Sequence, residues 1–573
     1  MTKKKIRPLN ILVGLLVLGI FLGPLVKLLY MSIKIDGSFG LDNYINLLKM
    51  DRTVEAIKNT IIIAISVSIL STVIGLILSI VLVYTDIKYK KFLKILILFP
   101  FVSPSYVMTL AFTNLFSVNS GMTRLLNTFG IDSINLFSMG GIVFVMTICN
   151  IPIIYTILSN TLRKIPRELE WASRTSGYGV ISTLFNVNIR SALPAIFAGF
   201  ILSFLSTLDN FSVPAFLGIP AGIPVLSTYI YEKAIGIGGT AFGESAALSM
   251  ILAIIAVIAI YFERKFVNDD INRDSNISEH EPRLLLKGNY KKVVQYATTI
   301  GLVMINIVPL VMMVGSSFLP NSSNRFNISG FSLQNYVKLL GNSSIIIAIR
   351  NSFVLSVLAT GICMIVAVLI AYKKRKSNSM IISIFEKSAS MTYAVPGIVL
   401  SLGMIFFWTE PVPGFKPKIY GTVTILLIAY ITRFMIMMNK GANTAFLAVS
   451  DDVEEASRVC SASKTDYWIK IVLPMIYRQL LSSGFLVFTA ALTELSLSSM
   501  LASAGTKTIG LSIYNLQQSG NYNMAYAFST VVILLIGIAI IPLSLSKYDL
   551  NMEKVNELKD RRNLKEIPTK IRT

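Results

Sequence analysis

Glu454-Glu455-Ala456-Ser457-Arg458, followed by Ser461 and by Ile471-Val472-Leu473-Pro474, is a polar stretch set between two long apolar runs. A degraded copy, Glu170-Trp171-Ala172-Ser173-Arg174 with Gly177 and Val187-Asn188-Ile189-Arg190, precedes it by 284 positions and is flanked in the same way. A chain that repeats a polar loop in register within two apolar halves presents two equivalent surfaces on one side of a membrane. The repeat therefore sets the architecture to be tested: two related membrane halves, each carrying one such loop.

Composition agrees. Of 573 residues, 54% are hydrophobic and 14% charged, with a mean hydropathy of +0.67, whereas a soluble domain carries about 25% charged residues. Apolar runs of the ~20 residues needed to cross a bilayer recur along the chain. The first, Leu9 to Met31, follows Lys3, Lys4, Lys5 and Arg7. It is too long for a signal peptide and lacks a small-residue cleavage site, so it reads as a retained anchor. The net charge of +22 comes from basic residues beside the spans, without an aromatic-basic stacking platform, so no nucleic-acid partner is expected. Cys149, Cys363 and Cys460 are far apart and match no metal or disulfide spacing. No metal site is expected.

Hydropathy places about twelve helices, beginning near Leu9, Asn59, Leu93, Gly141, Ser191 and Ala246, then near Val294, Asn351, Ser388, Gly421, Leu480 and Met524. Basic clusters follow alternate helices: Lys88, Lys90, Lys91 and Lys94; Arg163, Lys164, Arg167 and Arg174; Lys373, Lys374, Arg375 and Lys376; Arg458, Lys464, Lys470 and Arg478. The opposite loops hold little more than Arg124 and Lys233. The positive-inside rule then puts both termini, the central linker and both repeated loops in the cytoplasm. A second repeat supports duplication. Leu41…Asn43-Tyr44…Asn59-Thr60 returns 292 positions later as Leu333…Asn335-Tyr336…Asn351-Ser352. The expected fold is an all-α polytopic membrane protein, two parallel six-helix repeats related by an axis along the membrane normal. The halves cover 1–265 and 293–546, joined by a polar linker at 266–292 and followed by a charged tail at 547–573, with the repeated loops at about 163–190 and 444–478.

Local chemistry gives each loop a shape. Ser450 suits a helix N-cap, with Asp451 and Asp452 in the first turn where the helix dipole favours negative charge. Ala456 and Ser457 are small and allow close approach of another surface. A reversal is expected near Ser461, after which Trp468, Ile469, Val472 and Leu473 return apolar surface to the membrane boundary and Pro474 restricts the backbone. In the first copy Pro166 suits a first helical turn, and Gly177 a left-handed one.

At these residues the chain resembles the permease subunits of type I, binding-protein-dependent ABC importers, marked by Glu-Ala-Ala-x3-Gly-x9-Ile-x-Leu-Pro. Glu455-Ala456-Ser457, Ser461, Ile471, Leu473 and Pro474 carry the pattern, with Ser for the second Ala and for Gly. The first copy keeps Ala172, Gly177, Val187 and Ile189 but has Trp171, Ser173 and Arg190 in place of Glu, Ala and Pro. Phe99-Pro100…Pro104, Asp209…Pro214, Tyr393-Ala-Val-Pro396-Gly397 and Thr493-Glu494-Leu-Ser496 are similar to the fused, two-half ferric-iron permease type. The resemblance implies a bacterial plasma-membrane protein whose loops couple to two cytoplasmic ATPase subunits through Glu170, Trp171, Ala172, Ser173 and Gly177, and through Glu454, Glu455, Ala456, Ser457 and Ser461. An external binding protein would deliver substrate. Ferric iron is the expected cargo; thiamine, 2-aminoethylphosphonate or polyamines are the alternatives. ATP and Mg would belong to the partners, with no cofactor in this chain.

Asp209 and Glu494 fall near the outer ends of the fifth helix of each half. Ionisable groups in spanning segments usually face a bundle interior or a water path, so the two are pathway candidates; capping helix breaks near Pro214, or pairing with a neighbour, is the alternative. No Gly-x4-Gly-Lys-Ser/Thr loop is present, so ATP hydrolysis is expected elsewhere and the chain is not read as an enzyme. The single histidine, His280, lies in the linker and excludes a His-based triad within the membrane. The competing class is a secondary transporter, against which the short Asp86–Lys94 loop lacks the signature of common twelve-helix carriers.

Overall fold

In a computed structural model of the chain the described residues are 8–35, 38–118, 120–130, 132–236, 241–266, 283–284, 286, 288–320, 330–376, 380–411 and 414–544. Lys3 to Lys5, Arg7, His280, most of the linker expected at 266–292 and the tail expected at 547–573 lie outside them.

Among the described residues, nine helices are long and apolar enough to cross a bilayer, and three further helix pairs qualify only as bent units. The longest, Asp51–Tyr84 and Ser343–Lys376, have 34 residues each. At 1.5 Å per residue such a helix is about 50 Å long, against a hydrocarbon core of about 30 Å, so it tilts or projects beyond the core. Among the described residues extended pairing amounts to Lys34–Ile35 with Ser38–Phe39 and one bridge from Thr85 to Leu284, so the all-α expectation holds.

The third and ninth helices, read from hydropathy as single spans, are broken. Lys90–Val102 meets Ser105–Leu115 at 105°, and Met380–Ala394 meets Gly397–Thr409 at 115°. Pro104 and Pro396 each stand immediately before the second helix of the pair. A proline cannot donate to the preceding turn and drives the residue before it into extended backbone; Ser103 accordingly sits at φ −79°, ψ 130°. A third bent pair, Pro214–Ala221 with Leu226–Ile235 at 74°, has no place in the twelve-helix hydropathy count. Ser496–Leu501 and Ile509–Gln518 are its counterparts in the second half.

The repeat is visible bond by bond. Asn59 Nδ2 donates to the Pro224 carbonyl at 3.0 Å, while Asn351 Nδ2 donates to those of Gly505 and Lys507 at 3.2 and 3.1 Å. Beside them Thr60 Oγ1 accepts from Leu226 N at 2.8 Å, and Ser352 Oγ from Ile509 N at 2.9 Å. The polar pair in each long helix thus pins the bent segment of its own half. Likewise Asn43 Nδ2 donates to the Ser32 carbonyl and Asn335 Nδ2 to that of Ser317, with Tyr44 and Tyr336 bonding the same serines through their hydroxyls.

The halves are not separate bodies. Helix Pro8–Ile33 packs on Met380–Ala394 and Gly397–Thr409 of the other half. Phe21 meets Phe385 edge-on at 5.5 Å, and Thr392 Oγ1 donates to the Phe21 carbonyl at 3.2 Å. Reciprocally, Val308–Ser317 packs on Ser105–Leu115 of the first half, where Ser316 Oγ donates to Asn114 Oδ1 at 3.1 Å. The largest buried apolar cluster draws on both halves, from Leu28, Phe112 and Phe216 to Ile398, Leu495 and Tyr514.

Candidate functional site

Each repeated loop folds as a short helix, a left-handed reversal and a second helix. Arg167–Thr175 and Asp451–Val459 are the short helices. Gly177 has φ +91° and Ser461 φ +55°. Three backbone bonds close the first loop: Ser176 to Ala172, Gly177 to Arg174 and Tyr178 to Ser173. Three close the second: Cys460 to Ala456, Ser461 to Arg458 and Ala462 to Ser457. Each bond recurs 284 residues on. This is the glycine-type helix ending, in which the last carbonyls are satisfied by a residue in left-handed backbone. The following helices start with a short α turn, Val180–Thr183 and Lys464–Asp466, pass through a widened π turn, Leu184–Ile189 and Tyr467–Val472, and continue as Arg190–Asp209 and Leu473–Leu492.

Two capping expectations are corrected. Ser450 occupies the N-cap in extended backbone, but its side chain caps nothing. Asp451 instead accepts from Arg375 at 2.5 Å. Pro166 stands at the N-cap rather than inside the first turn.

The candidate coupling residues divide into two sets. Trp171, Ala172 and Gly177 are exposed, as are Glu455, Ala456 and Ser461 at the matching positions. Glu170 and Ser457, expected on the same outer surface, are buried, Ser173 is half-buried, and Glu454 turns inward. Ser173 Oγ shares a hydrogen bond with Thr183 Oγ1 at 3.0 Å, and Ser457 Oγ donates to the Glu454 carbonyl at 2.7 Å. The reason is electrostatic. Glu170 pairs with Arg283 at 2.6 Å and accepts from Asn188 Nδ2 at 2.6 Å. Glu454 pairs with Lys376 at 2.9 Å and Arg458 at 2.7 Å. The Lys376 hydrogen bond holds the Glu454 carboxyl below its ordinary range. Burying a carboxylate is costly unless it is paired and hydrogen-bonded, so these acids shape the loops from inside. The neighbouring positions 171 and 455 face out.

The two intramembrane acids meet in one cavity of about 240 Å³ between the halves. Asp209 ends the Arg190–Asp209 helix and reaches across to the second half. Its carboxylate accepts from the Arg433 guanidinium at 2.5 Å and from Gly397 N at 2.8 Å, at the start of the helix that follows Pro396. Arg433 also donates to the Val395 carbonyl at 2.5 Å. Glu494 accepts from Leu497 N at 2.7 Å and Ser498 N at 3.1 Å, capping Ser496–Leu501. The buried Tyr106 hydroxyl on the cavity wall makes no hydrogen bond to the described residues. Each acid thus caps a helix start, Asp209 that of Gly397–Thr409 and Glu494 that of Ser496–Leu501, and each lines the cavity.

Arg433 was missed from sequence. The signal was present: it is the one charged residue in Val423–Met438, and an arginine inside a span marks a partnered or functional position. A larger cavity of about 560 Å³, lined by Asn114, Ser316 and Tyr526 among others, contains no acidic or basic side chain. Of the two cavities, only the smaller is lined by charged side chains, Asp209, Arg433 and Glu494.

The sequence matches the profile of the family described as binding-protein-dependent transport system inner membrane component twice, over residues 71–268 and 363–548. Together the matches span more than half of the chain. Ferric transport system permease protein FbpB of Actinobacillus pleuropneumoniae is 24% identical over 517 residues, covering 88% of this chain and 73% of that protein. Fe(3+)-transport system permease protein FbpB 2 of Haemophilus influenzae is 22% identical over 505 residues, covering 87% and 92%. A putative 2-aminoethylphosphonate transport system permease protein PhnU of Salmonella typhimurium is 27% identical over 237 residues, covering 40% and 82%.

Proposed function

The chain belongs to the binding-protein-dependent transport system inner membrane component family, and from that premise we propose that it is the membrane pathway of an ATP-driven importer of ferric iron. Its role as a fused, two-half permease of an ABC importer follows from the doubled family match and the long relatives. The cargo is supported by the names of those relatives, which are ferric permeases. Both termini and both loops face the cytoplasm in this reading, as the flanking lysines and arginines favour.

One observation carries the mechanism: two loops with the same backbone bonds expose the same positions, Trp171-Ala172 and Glu455-Ala456. Each loop seats in one of two separate cytoplasmic ATPase subunits, where ATP and Mg are bound. The small alanine at the centre of each outward face allows close approach. Closure of the motors moves the two loops, and the helices continuing from them, Arg190–Asp209 and Leu473–Leu492, lead directly to Asp209 and Glu494. Rocking of the halves then opens or closes the polar cavity between those acids, which an external binding protein supplies.

The test is reconstitution in lipid with co-purifying partners. Radiolabelled ferric ion should enter only with ATP, and excess thiamine or 2-aminoethylphosphonate should not compete. Uptake that survives ATP removal and collapses with the proton gradient would establish a secondary carrier instead. A Glu455→Arg/Ala456→Trp variant should hydrolyse ATP without moving iron. Normal uptake by that variant would end the docking reading.

A further inference from the structure

The first loop is held by a residue from outside its own half. Arg283 is almost wholly buried, its side chain 3% exposed against 8% for Glu170. Its Nη1 pairs with Glu170 Oε1 at 2.6 Å, and its Nη2 donates to the Ile165 carbonyl at 2.5 Å. The guanidinium also stacks over the Tyr84 ring, 4.9 Å from its centroid. The backbone beside it is stitched down as well. Arg283 N and Leu284 N donate to the Tyr84 carbonyl at 2.8 and 2.7 Å, and Leu286 N donates to Asp86 Oδ1 at 3.1 Å. Tyr84 completes the knot, since its hydroxyl accepts from Asn188, which also bonds Glu170, and donates to the Leu162 carbonyl.

The second half solves the same problem differently. Glu454 matches Glu170 at the 284-residue offset, and its cation, Lys376, is the last residue of Ser343–Lys376. The last residue of the matching helix, Asp51–Tyr84, is Tyr84. That tyrosine leaves the first half without a cation at this place, and the segment joining the two halves brings one. The guanidinium suits the task because it can bond a carboxylate and a carbonyl at once and stack on an aromatic face.

We propose that Arg283 is a positioning residue that sets the first coupling loop, so that the joint between the halves, acting through Glu170, fixes how Trp171 and Ala172 are presented to the ATPase. The fusion is then more than a tether. Each loop follows a different support: the second the end of its own long helix, the first the joint itself. This rests on the reading of the loops as ATPase docking elements.

The test uses the complete chain in proteoliposomes with its ATPase and binding protein, reading ferric ion delivered per ATP hydrolysed. Arg283→Met alone strands a buried carboxylate and is expected to destabilise. Arg283→Met/Glu170→Gln leaves no buried charge, and removing both partners of such a pair costs little stability. A merely structural pair therefore predicts that the double variant regains both wild-type melting temperature and wild-type coupling. A positioning role predicts regained melting temperature with delivery per ATP still down by about tenfold, the scale of coupling changes along such networks. Arg283→Lys, which keeps the charge but cannot make both bonds, should fall between and serves if the double variant accumulates poorly. Wild-type coupling in these variants overturns the proposal while leaving docking intact. Wild-type coupling in the Glu455→Arg/Ala456→Trp control overturns the docking reading, and this inference falls with it for that separate reason.

Discussion

Ser461 and Gly177 occupy the same turn with opposite consequences. A non-glycine residue in left-handed backbone costs roughly 1 kcal/mol. Gly177 has nothing within 4 Å of where a Cβ would sit, so Gly177→Ala should lose about 1 kcal/mol through backbone strain alone. Ser461→Gly should raise stability by up to a similar amount, less the entropy that glycine adds to the unfolded chain. Paired melting curves would check both signs. Glu454 makes a prediction about acid. Its folded carboxyl titrates below the usual glutamate range because Lys376 favours the charged form. The tie is therefore complete above the unfolded value and lost only as pH falls through the lower, folded one. Amide exchange across Asp451–Val459 should be insensitive to pH above the ordinary glutamate range and should rise only as pH falls through the lowered, folded value, once the intrinsic pH dependence of exchange is removed.

At the scale of elements, the bent segments owe their geometry to polar side chains inside spanning helices. Asn351→Ala would free the carbonyls of Gly505 and Lys507. A lost hydrogen bond in such a setting is worth about 1 kcal/mol, more where a buried group is left unpaired. Asn59→Ala should behave alike through the Pro224 carbonyl, and similar melting shifts in detergent would confirm the structural repeat energetically. Arg433→Met differs because it strands Asp209, whose side chain is 40% exposed to the cavity. Water there offsets the loss of the partner, so transport should suffer more than folding. Asp209→Asn/Arg433→Met should recover stability first, and uptake only if the pair is not used in transit.

For the whole molecule the interlock matters most. Helix Pro8–Ile33 covers helices of the second half, and Val308–Ser317 covers one of the first. A fragment of either half alone exposes apolar faces that the other half normally fills. Expressed singly, each half should aggregate or be degraded; expressed together as two chains, they should co-purify. Such a split pair that assembles yet couples poorly would also agree with the joint having work beyond tethering. A half that is monodisperse alone would count against the interlock.

Much of this was legible along the chain. Span length, repeated loops and flanking basic residues are one-dimensional signals, because the bilayer imposes a fixed apolar length and a fixed charge asymmetry. Hydropathy ran the third and ninth helices as single spans; Pro104 and Pro396 stand at their breaks, but a proline forbids continuation without choosing a new direction, so the bends of 105° and 115° were not legible. The inward turn of Glu170 was illegible. Its partner lies 113 residues away, as Arg433 lies 224 from Asp209, and nothing local to either acid says which distant cation will reach it. Pattern along the chain settled what crosses the membrane and what repeats. Packing in three dimensions settled which acids face out and which half each first helix serves, because burial and charge pairing are properties of neighbours in space.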